Sequence, residues 1–160
     1  MLEIVAGEFR FLARLEEDAA AATVAAFRGL LPLESRIIHA RWSGEACWIP
    51  FGELDVGLGP ENATRYPAPG QILFYPGGVS ETEILFPYGS TAFASKAGAL
   101  AGNHFATVLE GVEQLPDLGR KALWEGAQPI RFEETEAPRS PQLAPHPTLG
   151  WGRESTRHPL

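Results

Sequence analysis

Hydrophobic and polar side chains alternate along most of this chain, which is the pattern of β-strands that bury one face. The alternation runs through residues 9–16, 33–42 and 104–109, and apolar runs at 71–75 and 82–88 predict two more strands. Residues 46–51, 91–96 and 128–133 complete a set of eight predicted strands. Many short strands separated by Gly and Pro turns are typical of a sandwich or a closed barrel.

Two stretches change to the spacing of a helix. Residues 19–31 place apolar side chains at intervals of three and four, and Pro32 ends this predicted helix. Pro116 suits the first turn of a second short helix over residues 116–124. We therefore expect a mainly β fold, a closed eight-stranded barrel whose open mouths are capped by about two short helices.

Residues 52–70 are rich in Gly and Pro and predict a long irregular loop. A loop of this length inside a small domain is often functional. The sequence leaves open whether it closes over a groove on the barrel.

The composition changes after Glu136, where the chain becomes Pro-rich and loses its periodicity. This predicts a barrel domain over residues 1–136 and a C-terminal arm over residues 137–160, which in isolation is extended or disordered. Apolar residues of the arm suit packing on a neighbouring subunit, and those residues are Leu143, Leu149 and Trp151. We expect a homo-oligomer held by this arm.

Charge and cysteine content narrow the possible partners. The 160 residues carry a net charge of −7, which argues against nucleic acid or an anionic membrane as the main partner. Cys47 is the single cysteine, so no disulfide can form within the chain. The first residues lack the pattern of a signal peptide, and we expect a cytoplasmic protein.

Asn103 and His104 follow Gly102 at the start of a predicted strand. An imidazole can act as acid, base or ligand near neutral pH, and an amide can orient a carbonyl or carboxylate. The alternative is structural, with Asn103 in a left-handed turn and His104 capping the strand.

Glu83 stands in an otherwise apolar strand. If Ile84 and Phe86 face the core, Glu83 faces outward with Leu85, either into solvent or into a groove where burial would raise its pKa. It could pair with His104 only if their strands adjoin.

Aromatic side chains on or beside the predicted strands could line such a groove together with a few polar groups. The predicted ligand-binding residues are Asn103, His104, Glu83, Tyr88, Tyr75, Trp48 and Phe93. The alternative for the aromatic residues is packing in the core or between subunits.

Metal and cofactor sites are not indicated. The four histidines are dispersed, and no Gly-rich segment has the ending of a phosphate loop. Cys47 is expected to be a small buried hydrophobic residue rather than a nucleophile. We expect neither a metal ion nor a cofactor.

Over residues 7–133 the chain resembles the cyclophilins. The resemblance rests on the spacings Thr23-x-x-x-Phe27-Arg28-x-Leu30 and Phe105-x-x-Val108-x-Glu110-Gly111-x-x-x-Leu115 and on the order of the elements. More narrowly, the chain is similar to an uncharacterised bacterial family of cyclophilin-like barrels, a domain of unknown function. The runs that carry this likeness are 69–78, 83–88 and 102–107.

The resemblance implies a fold and withholds an activity. The Phe-His-Arg motif that serves prolyl isomerisation in cyclophilins does not occur in this sequence. We expect a protein that binds a small organic ligand or a short peptide in a surface groove. The alternatives are a prolyl isomerase or a small hydrolase or isomerase using His104, and an oligomeric scaffold held by the arm.

Overall fold

The structure is a computed structural model that describes residues 1–136. Its strands are β1 (Leu2–Ala6), β2 (Phe9–Leu15), β3 (Leu33–His39), β4 (Gly44–Gly52), β5 (Ala63–Thr64), β6 (Gln71–Tyr75), β7 (Thr82–Thr91), β8 (Ala94–Ser95), β9 (Gly98–Ala99), β10 (Gly102–Glu110) and β11 (Gln128–Glu134). Its helices are α1 (Ala21–Arg28) and α2 (Leu115–Glu125), with single 3-10 turns at Arg41–Ser43 and Val112–Gln114.

Eight antiparallel strands close on themselves into a barrel. Their order around the barrel is β2-β1-β11-β3-β4-β7-β6-β10, and β10 pairs with β2 to close the ring. The predicted closed eight-stranded barrel with two short helices is therefore confirmed. The two-residue strand β5 extends the sheet beside β10, and β8 pairs only with β9 outside the barrel.

The barrel interior is a core of aromatic and aliphatic side chains, closed at its two mouths by the helices. Phe27 of α1 lies 4.7 Å from Phe105 and 5.6 Å from Phe132, between ring centroids. At the opposite mouth α2 buries Leu115 and Leu118. A ring of strands leaves its open ends to water, so an apolar side chain from each helix completes the core.

Three predicted elements differ from the observed ones. Residues 2–6 form a barrel strand that was not predicted from the sequence. Five residues before a tight turn at Gly7 are too few to show a clear alternation of apolar and polar side chains. Residues 91–96 were expected to form a strand of the main set, but only Ala94–Ser95 are in a strand, outside the barrel. Helix α1 is shorter than the predicted range 19–31 and ends at Arg28, before Gly29.

A second apolar cluster lies on the outer face of the wall formed by β4, β7 and β6. Residues 92–101, here called the covering segment, lie over this wall and bury Phe93 and Leu100 against it. The buried members of the cluster are Ala40, Ala46, Leu73, Tyr75, Leu85, Phe93 and Leu100, with Trp48 packed on them. One stretch of the barrel wall is therefore buried on both faces.

The predicted C-terminal arm, residues 137–160, lies outside the described residues. Within residues 1–136, no helix is both long and apolar enough to cross a bilayer.

Gly119, in the middle of α2, permits the close approach of this helix to the barrel. A Cβ atom at this position would lie 2.5 Å from three ring carbons of Tyr88. Gly119→Ala should gain about 1 kcal/mol of helix propensity but lose about 1–3 kcal/mol to overpacking. We expect net destabilisation in urea unfolding. Gly59→Ala is the control, since nothing lies within 4 Å of its Cβ, and an equal effect of the two changes would contradict this account.

Candidate functional site

A pocket of about 500 Å³ lies on the outer face of the barrel wall, beside the second apolar cluster. Its lining comes from the 3-10 turn Arg41–Ser43, strands β4 and β7, the turn at 79–81 and the covering segment. The side chains that give it chemical character are two tryptophans, two glutamates and a lysine, namely Trp42, Trp48, Glu81, Glu83 and Lys96. No residue of loop 52–70 belongs to this lining.

Glu83 is the most unusual of these residues. In the register of β7 it lies opposite Tyr75 on one side and Pro50 on the other. Its side chain faces outward, as Ile84 and Phe86 pack inside the barrel, and yet the residue is only 2% exposed. The alternative of a solvent-exposed Glu83 is therefore wrong, because the residues that line the pocket shield this part of β7 from solvent.

The Glu83 carboxyl has no hydrogen bond or ion pair among the contacts of residues 1–136. Burial, with a smaller contribution from the nearby Glu81 carboxylate, raises the pKa of Glu83 to about 8. At neutral pH this carboxyl is mostly protonated, so it can donate a hydrogen bond as well as accept one.

Two tryptophans form the aromatic part of the pocket. The Trp42 and Trp48 ring centroids lie 5.4 Å apart with their planes nearly perpendicular. Trp42 is 48% exposed, and the Trp48 Nε1 atom is buried without a hydrogen-bond partner in the described part of the chain. The aromatic surface of the two tryptophans and the Glu83 carboxyl therefore line one cavity.

Tyr75 and Phe93 support the pocket from behind. The Tyr75 hydroxyl accepts hydrogen bonds from the backbone N–H groups of Val79 at 3.0 Å and Ser80 at 3.3 Å. The Phe93 ring packs edge-on against Tyr75 with centroids 5.8 Å apart. Tyr75 thus fixes the turn at 79–81, and Phe93 anchors the covering segment.

Asn103 lies elsewhere, inside the barrel mouth that α1 closes. Its amide donates to the Thr23 hydroxyl at 3.1 Å and to the Gly59 carbonyl at 3.0 Å, and its carbonyl accepts from the Glu61 N–H at 3.0 Å. Asn103 therefore joins loop 52–70 to α1 and to the barrel.

His104 projects from the opposite face of β10 and meets Thr107 and Glu16. The Thr107 hydroxyl donates to Glu16 at 2.6 Å, so the 2.8 Å bond between Thr107 and His104 Nε2 has the imidazole as donor. Burial lowers the pKa of His104, although Glu16 partly offsets this effect. Because β6 lies between β7 and β10, the suggested Glu83–His104 pair is not formed.

Tyr88 belongs to the mouth that α2 closes. Its hydroxyl shares a 2.7 Å hydrogen bond with His39 Nε2, while His39 Nδ1 is buried without a partner in the described residues. Cys47 pairs with His39 in the strand register, and burial raises the pKa of its thiol to about 12. Cys47 is thus a buried hydrophobic residue, as predicted.

Of the seven predicted ligand-binding residues, the structure brings Glu83 and Trp48 into the pocket and places Tyr75 and Phe93 behind it. Asn103, His104 and Tyr88 lie at three other places. The sequence analysis missed Trp42 and Lys96 as lining residues. Trp42 lies in the 3-10 turn Arg41–Ser43 and Trp48 pairs with Ile38 in the strand register, so strand pairing gave no signal for the two tryptophans.

Comparison with known proteins gives a family and a fold. The model of a family described as "Protein of unknown function (DUF3830)" matches residues 2–134. No curated protein sequence matches the chain significantly.

Two solved structures share the fold at low identity. McbB, solved in complex with tryptophan, is 20% identical with a TM-score of 0.62, over 92% of this chain and 49% of that chain. The hypothetical protein AF2241 from Archaeoglobus fulgidus is 17% identical with a TM-score of 0.56, and the match covers 84% of this chain and 93% of that chain. The present chain spans about half the length of McbB.

The predicted likeness to a barrel family of unknown function is confirmed, while the more distant resemblance to cyclophilins stays a prediction. The family match extends over the whole barrel, from β1 to β11. The chain therefore belongs to the protein family of unknown function DUF3830.

Proposed function

We propose that this protein binds a small organic molecule in the pocket between β4, β7 and the covering segment. The observation that carries the proposal is Glu83, a carboxyl that is 2% exposed and unpartnered within residues 1–136. Burying a polar group without a hydrogen-bond partner is unfavourable, so such a group needs a reason other than stability.

The surroundings of Glu83 have the character of a ligand site. Small-molecule sites are concave and mostly apolar, with a few convergent polar groups, and volumes of about 300–1,000 Å³ are typical. This pocket combines the tryptophan pair with the Glu83 carboxyl. A strongly perturbed carboxyl in a cleft is in addition a common mark of functional sites.

The alternative functions gain less from the structure. An arginine beside the aromatic side chains would favour a prolyl isomerase, but the described lining of the pocket contains a lysine and no arginine. McbB, which shares the fold, was solved with the small molecule tryptophan, and this is compatible with a small-molecule site on such a barrel. Function depends on the site rather than on the fold, so the proposal rests on the pocket itself.

Glu83 should make the stability of the protein depend on pH in a defined direction. Its pKa is raised in the folded state, so the folded protein holds a proton that the unfolded chain releases as the pH rises above about 4.5. Stability is therefore lost between the unfolded and folded pKa values, by about 3–5 kcal/mol in total.

The variant Glu83→Gln keeps the shape of the side chain and removes the titration. Urea unfolding of both proteins at several values between pH 4.5 and pH 9 should show the wild type losing stability relative to the variant as the pH rises. Parallel stability curves for the two proteins would contradict a buried, unpartnered carboxyl at this position.

Removing the exposed tryptophan of the pocket should remove ligand binding. A panel of small cationic, anionic and neutral aromatic fragments is screened by saturation-transfer NMR, and we expect binders to the wild type that lose about tenfold or more in affinity in Trp42→Ala. Trp124→Ala is the matched control, because Trp124 is 78% exposed on α2, away from the pocket. A panel without binders, or binders equally sensitive to both changes, would refute the proposal.

A further inference from the structure

We propose that the ligand of this pocket is a small organic amine with a flat apolar body, whose ammonium group pairs with the carboxylate of Glu83. This inference rests on the proposed function and adds the chemical class of the ligand. It follows from the unpartnered carboxyl, from the charges around it and from the tryptophans beside it.

The Glu83 carboxyl lacks hydrogen bonds that a bound ligand could supply. Glu83 lines the pocket, is only 2% exposed, and receives no hydrogen bond from a donor within residues 1–136. An ammonium group offers up to three N–H donors, and charge-assisted hydrogen bonds to a carboxylate are among the strong ones. A primary amine therefore supplies what the carboxyl lacks.

The surface around the pocket is mainly negatively charged. Glu81 lines the same pocket, and the adjoining surface groove, which shares Val79, Ser80 and Glu81 with it, also contains Glu53 and Asp55. Lys96 is the one cation among the described lining residues. The carboxylates attract a cation to this side of the barrel and repel an anion.

Trp42 and Trp48 form the aromatic wall of the pocket. The Trp42 and Trp48 rings are nearly perpendicular to each other, and both residues line the cavity. A flat ring can pack edge-on or offset against such a pair, and an ammonium group near an indole face gains a cation–π contribution. An aromatic or similarly flat body with a short amine arm fits both features.

Binding of an amine should release a proton to the buffer. Glu81 and Lys96 line the same pocket as Glu83, and Tyr75, whose hydroxyl already accepts the N–H groups of Val79 and Ser80, is its partner in the strand register. In the free protein the carboxyl holds its proton at pH 7, as its pKa is about 8. An ammonium ligand stabilises the charged form, so up to about one proton leaves for each amine bound at pH 7.

The test compares three compounds that share a phenyl ring and differ in charge. They are 2-phenylethylamine, 2-phenylethanol and 3-phenylpropanoate, and their binding is measured by isothermal titration calorimetry at pH 7 in phosphate and in MOPS, neither of which is a primary amine and whose different ionisation enthalpies reveal released protons. In the wild type we expect the amine to bind about tenfold or more tightly than the alcohol, with the carboxylate weakest and close to one proton released by the amine.

Two variants make the result specific. Glu83→Gln should bind the amine and the alcohol within about twofold of each other and release no proton. Glu113→Gln changes an exposed glutamate on another part of the surface and should behave as the wild type. The melting temperature of each variant confirms that it is folded.

Four outcomes would overturn the inference. If the alcohol or the carboxylate binds as well as the amine, or if Glu83→Gln keeps the amine preference, the ligand class is wrong while small-molecule binding stands. The same holds if all three compounds fail although other fragments of the panel bind. If none of the three and no fragment binds, the proposed function fails together with the inference.

Discussion

The two-faced nature of a β-sheet is the constraint on which this structure depends. Side chains of β7 alternate, so Ile84 and Phe86 fill the barrel while Glu83 and Leu85 face outward. An antiparallel sheet commonly has one face in water, where an outward carboxylate stays hydrated. Here the covering segment makes one stretch of the outer face a second core, and the same alternation then puts a carboxyl at its border.

The covering segment and the turn at 79–81 act together on that border. Phe93 anchors the segment on the wall, and Tyr75 holds the turn through its hydroxyl, so the cavity between them is bounded by fixed elements. A pre-formed cavity reduces the ordering that a ligand has to impose on the protein. The buried carboxyl destabilises the fold at neutral pH, and the exchange of stability for a reactive or binding group is common at functional sites.

Much of the fold follows from local patterns in the sequence, and the site follows from them only in part. The period of two predicts most strands and the outward direction of Glu83, and it also implies that Asn103 and His104 lie on opposite faces and cannot share a groove. The same period, continued from Ile84 and Phe86, places Tyr88 inside the barrel. The burial of Glu83 could not be predicted, since it depends on residues 92–101, whose position over the wall is a tertiary contact without a local signal.

Both proposals depend on the burial of the Glu83 carboxyl, which is 2% exposed and has no hydrogen-bond partner within residues 1–136. Carbon-13 NMR titration of the glutamate side-chain carboxyl groups measures this directly, with the Glu83 resonance assigned by its loss in Glu83→Gln. We expect a titration midpoint near 8 for this carbon in the free protein. A midpoint near the ordinary glutamate value of 4.5 would mean that the carboxyl is hydrated or paired, and would contradict its burial without a partner.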